Sequence, residues 1–340
     1  NFDQYATIED GSCLYNTYTY VPDDNFENYL EANGMGDGIA LNDTVLTSNI
    51  NTVNNLYLDS LSINNLIGIQ DFISLRILDA SVNPIDSIDL SNNDSLTHVY
   101  LNYCSLDSLD LSDKTYLLEV ECGFNQLVDI NIVNNTGLTN LTAYNNQLTN
   151  LDIYSNISLT NFNCNSNQII NLDFSNCSNM TSISCANNQL TNIDVSNNLN
   201  LVTLVCLDNQ LSNLDLTYNP SLNYLRCENT NLSVLDLSNN INLTFLFCNS
   251  NTINELDLSN NSSLIKIEIP NNNLDSLDLS MLSSLIEINC ANNLLTYMDV
   301  RNGNNLIMST FYTLNNPNLT CINVDDTTYS NSNWTNIDPQ

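Results

Sequence analysis

The chain of 340 residues contains 38 Asp and Glu but only five Lys and Arg, which gives a formal net charge of −33. Because nucleic acids and anionic membrane surfaces are also negative, this charge argues against both as partners. No run of about 18 apolar residues occurs, so membrane insertion is not expected. A hydrophobic content of 42% is nevertheless sufficient to fill a core.

Two segments precede the main body of the chain. Residues 1-19 form an Asp-rich segment or linker, and residues 20-52 predict a helical cap. The predicted N-cap is Asp23 or Asp24, the apolar stripe is Phe26, Tyr29 and Leu30, and the terminating glycine is Gly34 or Gly36. Such a helix closes the hydrophobic end of the structure that follows it.

From residue 53 to residue 316 the chain repeats itself about every 21 residues, in the register L-x-x-L-x-C-x-x-N-x-L-x-x-L-D-L-S-x-N-x-x. The repeats begin at Val53, Leu75, Leu96, Leu117, Leu138, Leu159, Met180, Leu201, Leu222, Leu243, Leu264 and Leu285, with a degraded one at Leu306. Because one coil cannot bury its own apolar face, about 12-13 coils are expected to stack into a solenoid.

Each repeat predicts one short parallel strand, because positions three to seven alternate between inward and outward side chains. Position nine is usually Asn, and an inward Asn at a strand end can satisfy backbone groups or bond to the next Asn. Its occupants are Asn83, Asn125, Asn146, Asn167, Asn188, Asn209, Asn251, Asn272 and Asn293, with Cys104 and Thr230 in two coils.

The Leu spacing, with Asn or Cys at position nine, resembles the leucine-rich repeat family. Coils of 21 residues with Cys in the strand resemble the internalins of Listeria and similar secreted repeat proteins of Bacteroidota. The resemblance covers roughly residues 53 to 316 and implies a repeat solenoid, mostly β and loop, with a parallel β-sheet on one face and a short N-terminal capping helix. It implies no particular ligand, since the family varies its exposed face freely.

Both ends also resemble segments of extracellular proteins. Residues 1-19 are similar to an Asp-rich, disulfide-bounded motif of Bacteroidota, in which another cysteine precedes the Asn and would pair with Cys13. Residues 317-340 are similar to a closing cap that runs on to a further cysteine, a partner for Cys321. These resemblances imply a truncated piece of a longer chain and an extracellular or cell-surface location.

Cysteine recurs at position six of the repeat, which faces inward. Its occupants are Cys122, Cys164, Cys185, Cys206, Cys227, Cys248 and Cys290. Five of them lie in consecutive coils and cannot pair off completely, and Ala80, Ala143 and Ile269 fill the same position in other coils. We therefore expect a ladder of buried free thiols that act as small apolar groups; occasional disulfides or an adventitious soft metal are the alternatives.

The outward strand positions of the C-terminal half predict a binding patch. Its residues are Val205, Leu207, Tyr224, Arg226, Phe245, Phe247 and Lys266, with Glu228 and Glu268 at the margin. Two Phe side chains beside two of only five cations are typical of an interface hot spot. The alternative interpretation is that the aromatic residues only stabilise the sheet or are covered by another part of the chain.

The N-terminal half presents a different set of outward residues. They are Tyr57, Asp79, His98, Tyr100, Tyr103, Glu119, Glu121, Phe124 and Tyr144. Aromatic rings stack on pyranose rings and carboxylates accept hydroxyl hydrogens, so this face suits a sugar ligand. His98 is expected beside Glu119, with Asp79 diagonal to it, which allows a weak metal or protonation site; plain surface is the alternative.

A column of Asp residues occupies position fifteen, on another side of the coil. Repeated carboxylates repel one another unless hydrogen bonds or a cation offset the repulsion. Bonds from the following Ser or Asn would suffice. The alternative is calcium bridging between coils, for which the candidate ligands are Asp215, Asp236 and Asp257.

No catalytic constellation is evident, because the sequence has one His, no Gly-rich phosphate loop and no convincing Cys–His pair. We therefore expect no enzymatic activity and no cofactor other than possible calcium. The predicted function is an adhesin-like recognition module that binds an extracellular protein or polysaccharide through its sheet face. The alternative is a structural spacer, or a self-associating subunit of an extracellular assembly or filament.

Overall fold

The computed structural model describes residues 17–337 of the chain. It divides into two units, Asn1–Asn135 and Thr136–Gln340, and both are built from stacked β-coils. Unit 1 contributes four parallel coil strands and unit 2 contributes nine, one for each turn. The chain is therefore a parallel β-solenoid of about 13 turns. No helix among the described residues has the length and apolarity needed to cross a bilayer.

The N-terminal cap consists of two short strands and two helices. These elements are β1 (Tyr18–Tyr20), α1 (Asp24–Ala32), β2 (Thr44–Leu46) and α2 (Thr47–Ile50). Strand β1 pairs with β2 in antiparallel fashion. The sheet of the cap therefore includes Tyr18 and Thr19, which lie before the boundary expected at residue 20.

The capping helix has the predicted boundaries. The carboxylate of Asp23 accepts hydrogen bonds from the backbone N–H groups of Asn25 and Phe26, both at 3.0 Å, and so caps the first turn. The helix ends before Gly34, whose φ of 73° is left-handed. Phe26 is fully buried and stacks on Phe72 with ring centroids 6.2 Å apart, which anchors α1 to the first coils.

The coils of unit 1 form two parallel sheets. Their strands are β3 (Asn55–Tyr57), β4 (Ile77–Asp79), β5 (His98–Tyr100), β6 (Ser108–Asp110), β7 (Glu119–Glu121) and β8 (Asp129–Asn131), with a 3₁₀ turn at Ile69–Asp71. Strands β3, β4, β5 and β7 pair in that order. Strand β6 pairs with β8 in a second sheet, in which Asp110 and Asn131 of position fifteen are partners.

Unit 2 repeats this arrangement over more coils. Its elements are β9 (Asn140–Thr142), β10 (Asn161–Asn163), β11 (Ser182–Ser184), β12 (Thr203–Val205), β13 (Tyr224–Arg226), β14 (Phe245–Phe247), β15 (Lys266–Glu268), β16 (Ser276–Asp278), β17 (Glu287–Asn289), β18 (Tyr297–Asp299), a 3₁₀ turn (Asn305–Ile307), β19 (Thr310–Tyr312), β20 (Ile322–Asn323) and α3 (Thr327–Asn333). Asn161 pairs with Ser182, and Ser182 with Thr203. These strands are therefore one 21-residue repeat apart in sequence, whereas the last pair, Glu287 with Thr310, is 23 residues apart.

The position-six cysteines form a column of buried thiols. None of the ten cysteines within residues 17–337 forms a disulfide, which confirms the thiol prediction for this part of the chain. Burial disfavours the thiolate and raises the pKa of Cys122, Cys185 and Cys290 to about 12. Cys185 also donates from Sγ to the carbonyl oxygen of Val205 at 3.7 Å. Cys13 lies outside the described residues, and Cys321 is exposed.

The Asn column at position nine joins neighbouring coils through the backbone, as predicted. Asn209 donates from Nδ2 to the carbonyl oxygens of Cys185 at 3.0 Å and Cys206 at 2.9 Å. Its Oδ1 accepts from the N–H of Leu190 at 3.0 Å. One side chain thus satisfies three backbone groups in two coils at the point where the strand ends.

A second buried Asn column, at position nineteen, was not predicted. Its members are Asn93, Asn135, Asn156, Asn198, Asn219, Asn240 and Asn261, with Cys177 in one coil. Asn219 donates to the carbonyl oxygens of Val195 at 3.1 Å and Asn198 at 3.0 Å. The sequence shows the recurring Asn, but its inward direction depends on where the coil makes its last turn.

Position eight adopts the left-handed backbone conformation in coil after coil. Its occupants, with φ between 51° and 58°, are Val82, Tyr103, Phe124, Asn145, Ser166, Asn187, Asp208, Asn229, Ser250, Asn271 and Asn292. Asn and Asp tolerate this conformation, whereas it costs other residues about 1 kcal/mol or more. Unit 2 places only polar residues there, and unit 1 places three large apolar ones.

The C-terminal end of unit 2 is covered by a short helix and one aromatic residue. Asp326 caps α3 by accepting from the N–H groups of Thr328 and Tyr329. Trp334 follows the helix and stacks on Phe311 with ring centroids 4.0 Å apart and planes 15° from parallel. Both rings are buried, so this contact closes the apolar end of the last strand.

Candidate binding site

The predicted patch of the C-terminal half lies on strands β12 to β15 of unit 2. Tyr224 pairs in register with Phe245, and Arg226 pairs with Phe247. Phe245 in turn pairs with Lys266. The parallel register therefore brings these side chains onto one face at strand spacing. We call Tyr224, Phe245 and Phe247 the aromatic cluster.

The ring of Tyr224 contacts both phenylalanine rings of the aromatic cluster. The Tyr224 centroid lies 5.9 Å from that of Phe245 and 5.6 Å from that of Phe247, with planes tilted by 49° and 46°. These distances are within the range of favourable aromatic pairs. Because the rings cover each other, both Phe side chains are half-buried and not fully exposed as the sequence suggested.

Two cations flank Phe247. The guanidinium carbon of Arg226 is 5.5 Å from the Phe247 ring centroid, and Lys266 Nζ is 5.8 Å from it. Both distances fit a cation–π contact. The face therefore combines an apolar surface with positive charge, although the chain as a whole is strongly negative.

Carboxylates fix both cations in place. Arg226 donates from Nε and Nη2 to Glu228 Oε1 at 2.9 and 2.6 Å, and this hydrogen bonding raises the pKa of Arg226. Lys266 Nζ lies 2.8 Å from Glu287 and 3.3 Å from Glu268, and its hydrogen bond to Glu287 raises the pKa of Lys266. Glu287 was missed, although one step of the repeat from Lys266 leads to it.

Glu228 is the most buried acidic group of this face. Its side chain is only 8% exposed, and its Oε2 atom makes no hydrogen bond among the described residues. Burying a carboxylate is costly unless it is paired, so the bond to Arg226 is essential to its stability. The pair thereby holds the guanidinium beside Phe247.

Val205 and Leu207 lie beside the aromatic cluster, on the β12 side. Val205 pairs in register with Arg226, and Leu207 follows two residues later along the same coil. Both are half-buried. The structure thus places all seven predicted residues of the patch on four neighbouring coils.

On the predicted face of the N-terminal half, hydrogen bonds hold the side chains in place, and no Lys or Arg of the described residues forms an ion pair with them. His98 pairs in register with Glu119, and its Nε2 lies 3.8 Å from Glu119 Oε2, which confirms the predicted neighbours. Tyr100 donates from its hydroxyl to the same carboxylate oxygen at 3.2 Å. Burial and the nearby Glu119 raise the pKa of Tyr100 to about 12.

The remaining residues of that face lie on several coils. Tyr57 lies on β3 and is 52% exposed. Tyr103 and Phe124 stack with ring centroids 4.2 Å apart. Tyr144 follows β9 and belongs to unit 2. Within residues 17–337, no cluster of three or more His, Cys, Asp or Glu side chains is arranged to hold a metal ion.

The Asp column at position fifteen is satisfied by local hydrogen bonds. Asp215 accepts from the N–H of Thr217 at 3.0 Å, and Asp236 accepts from that of Ser238 at 2.9 Å. Hydrogen bonds from these residues lower the pKa of both carboxyl groups. Asp257 makes the same bond to Ser259. The hydrogen bonds predicted as one way to offset the repulsion are therefore present along the column.

Known structures share this architecture. The functional domain of InlJ from Listeria monocytogenes matches with a TM-score of 0.78 and 26% identity, over 92% of this chain and 78% of that one. InlF, an internalin of the same species, matches with a TM-score of 0.64 and 20% identity, over 94% and 95%. This chain has the leucine-rich-repeat fold. The InlJ domain includes a cysteine ladder, to which the thiol column of this chain is similar.

A more distant leucine-rich-repeat structure was solved with a ligand. It is the ectodomain of a plant membrane receptor kinase from Arabidopsis thaliana in complex with Casparian strip integrity factor 2, with a TM-score of 0.58 and 17% identity over 82% of this chain and 42% of that one. No protein-family model and no curated protein matches this chain.

Proposed function

We propose that this leucine-rich-repeat protein is a secreted or cell-surface recognition module, which binds a protein ligand through the aromatic cluster and its two flanking cations. The observation that carries the proposal is the geometry around Phe247, where rings and cations converge on one face. Aromatic side chains and Arg are the residues most enriched in binding hot spots. The half-buried rings are also held rigid, which reduces the entropy lost on binding.

The ion pairs support recognition for a second reason. Arg226 and Lys266 each contact a carboxylate of their own face, so neither cation needs a ligand to be stable in place. Prearranged cations beside an aromatic ring select against ligands that lack a matching acceptor. Such a site fits a protein that inserts an apolar side chain beside Phe245 and places an acceptor near Arg226.

The structural comparisons support the same class of function at the level of fold. Internalins and a receptor ectodomain in complex with its factor share this architecture. Fold alone does not identify a ligand. The adhesin-like role and the choice between protein and polysaccharide therefore depend on direct binding measurements.

The test is to apply the purified chain to arrays of extracellular proteins and of glycans, with and without calcium, and to repeat the assay with Phe245→Ala/Phe247→Ala. We expect a protein ligand that binds the wild type and binds the variant at least about thirtyfold more weakly, a typical effect of losing a hot spot. The matched control is Tyr154→Ala/Tyr218→Ala, which removes two exposed rings elsewhere in unit 2 and should leave binding unchanged.

Three results would count against the proposal. Equal binding by wild type and variant would remove the aromatic cluster from the site. If a glycan binds the wild type but not the variant, the aromatic cluster is the binding site but its ligand is a glycan and not a protein. Absence of any ligand, together with concentration-dependent assembly in sedimentation, would favour a structural spacer or a self-associating subunit.

A further inference from the structure

Unit 1 carries an exposed apolar row that unit 2 lacks. Val82, Tyr103 and Phe124 occupy position eight of three successive coils and are 51%, 52% and 38% exposed. The rings of Tyr103 and Phe124 stack with centroids 4.2 Å apart and planes 13° from parallel. The N–H of Val82 donates to Asn102, and that of Tyr103 donates to Gly123, so the row follows the register of the coils.

These three residues are unfavourable choices for their backbone. All three have φ between 55° and 58°, a left-handed conformation in which a β-branched residue such as Val82 is an outlier. The corresponding positions of unit 2 hold Asn, Asp or Ser, of which Asn and Asp adopt this conformation most readily. The apolar row therefore reduces the stability of the fold, and a binding role would explain why it is present.

Carboxylates stand next to the apolar row. Asn102 donates from Nδ2 to Glu121 Oε2 at 2.8 Å, and its Oδ1 accepts from the N–H of Gly123 at 2.7 Å. Asn102 and Gly123 directly precede Tyr103 and Phe124, so these bonds tie the Glu121 carboxylate to the two coils that carry the stacked rings. Glu119 lies on the same strand, two residues before Glu121.

No Lys or Arg among the described residues forms an ion pair with these carboxylates. The ion pairs within the described part of unit 1 are His98 with Glu119 and Lys114 with Asp94. On unit 2, by contrast, Glu228, Glu268 and Glu287 are all paired with Arg or Lys. The negative charge of Glu119 and Glu121 is consequently available to a partner.

We propose that Val82, Tyr103 and Phe124, together with Glu119 and Glu121, form a second docking surface, which binds a basic peptide segment of a partner protein through its Arg or Lys side chains. Cations are attracted both to aromatic rings and to carboxylates, and the apolar row provides contact for their aliphatic stems. A neutral glycan would gain nothing from the charge, and a nucleic acid or anionic glycan would be repelled by it.

The experiment uses the complete chain and a fluorescein-labelled peptide of alternating Arg and Gly, with a matched peptide in which citrulline replaces Arg. Anisotropy titrations at roughly 0.15 M salt keep weak long-range attraction screened. The main variant is Tyr103→Asn/Phe124→Asn, because Asn is the residue that unit 2 uses at this position. It leaves the net charge unchanged and suits the left-handed backbone.

We expect the main variant to bind the Arg peptide about tenfold more weakly than the wild type, and its melting temperature to stay the same or rise. Glu119→Gln/Glu121→Gln should also weaken binding, and the citrulline peptide should not bind. The matched control Tyr154→Asn/Tyr218→Asn should bind as the wild type does. Phe245→Ala/Phe247→Ala should do so too, which separates this surface from the aromatic cluster.

Three outcomes would overturn the proposal. If the main variant binds the Arg peptide as tightly as the wild type, the attraction is a diffuse property of a chain with net charge −33. If the melting temperature of the main variant falls, the stacked rings serve the fold. If neutral cello- or xylo-oligosaccharides bind in a manner sensitive to the main variant while the Arg peptide does not, the surface is a glycan site.

Discussion

The two units build the same coil but place different chemistry on it. In unit 2, Arg226 and Lys266 lie beside Phe247 and are held by carboxylates, and position eight is polar. In unit 1, Tyr103 and Phe124 are stacked and exposed at position eight, and Glu121 is held by an amide. The difference shows that the buried positions define the coil, while the exposed ones are free to specify a partner.

The largest expected effect concerns a buried position that both units share. Asn83 and Asn209 each donate to three carbonyl oxygens and accept from at least one backbone N–H group. Replacing either by Ala leaves several buried backbone groups unsatisfied, so we expect each substitution to lower the free energy of unfolding by about 2–4 kcal/mol.

Urea denaturation of Asn83→Ala and Asn209→Ala measures this effect, and the exposed Asn161→Ala is the control. A large loss in one unit and none in the other would show that the coils are not built alike.

Substitutions at position eight should change the free energy of unfolding by a smaller amount, with opposite sign in the two units. Val82→Asn removes the strain of a β-branched residue in the left-handed conformation, and should raise the free energy of unfolding by about 1 kcal/mol. Asn187→Val introduces the same strain into unit 2 and should lower it by a similar amount. Thermal and urea unfolding of both variants check the pair, and an equal sign in the two units would contradict the strain argument.

Low pH should reduce the stability of unit 2 more than that of unit 1. Hydrogen bonds lower the pKa of Asp173, Asp194 and Asp257 in unit 2, and of Asp89 in unit 1. A carboxyl group with a lowered pKa in the folded state stabilises the protein above its unfolded pKa, about 4. That contribution is lost as the pH falls further towards the folded pKa.

The urea midpoint of the wild type should therefore fall below about pH 4. Asp173→Asn/Asp194→Asn/Asp257→Asn keeps an acceptor that does not titrate, and should reduce this pH dependence more than Asp89→Asn does. Parallel pH profiles for all three proteins would be incompatible with the assignment.

The smallest effect is a spectroscopic one at Tyr100. Its pKa of about 12 arises first from burial and then from Glu119. Glu119→Gln removes the negative charge but leaves the burial, so the pKa should fall while staying above the ordinary value. Alkaline difference absorption against a Tyr100→Phe variant measures this titration. An unchanged pKa in Glu119→Gln would contradict the contribution assigned to Glu119.

Contacts set by the repeat could be predicted from the sequence. A step of one repeat places Glu119 beside His98 and Phe247 beside Arg226. The parallel strands pair in this register, which confirms both neighbours. The helix cap at Asp23 was equally accessible, because capping is a local property. The inward thiols followed from the alternation of side chains along each strand.

Features that depend on the three-dimensional course of a turn could not be predicted. Glu27 is fully buried because its carboxylate accepts from the N–H groups of Asn42 and Asp43, which a loop brings to it from later in the chain. The left-handed conformation of Val82 runs against the preference of its residue type. Likewise, the half-burial of Phe245 and Phe247 results from contacts between rings, which a residue pattern does not contain.

The constant register has a genetic consequence. Ser184, Val205 and Arg226 are successive partners across three strands of unit 2. In-frame loss of residues 201–221 by recombination between repeats would seat Arg226 against Ser184 without disturbing the inward columns, and duplication of a coil would insert a new surface as easily. Recombination can thus exchange the exposed surface of this protein in whole coils.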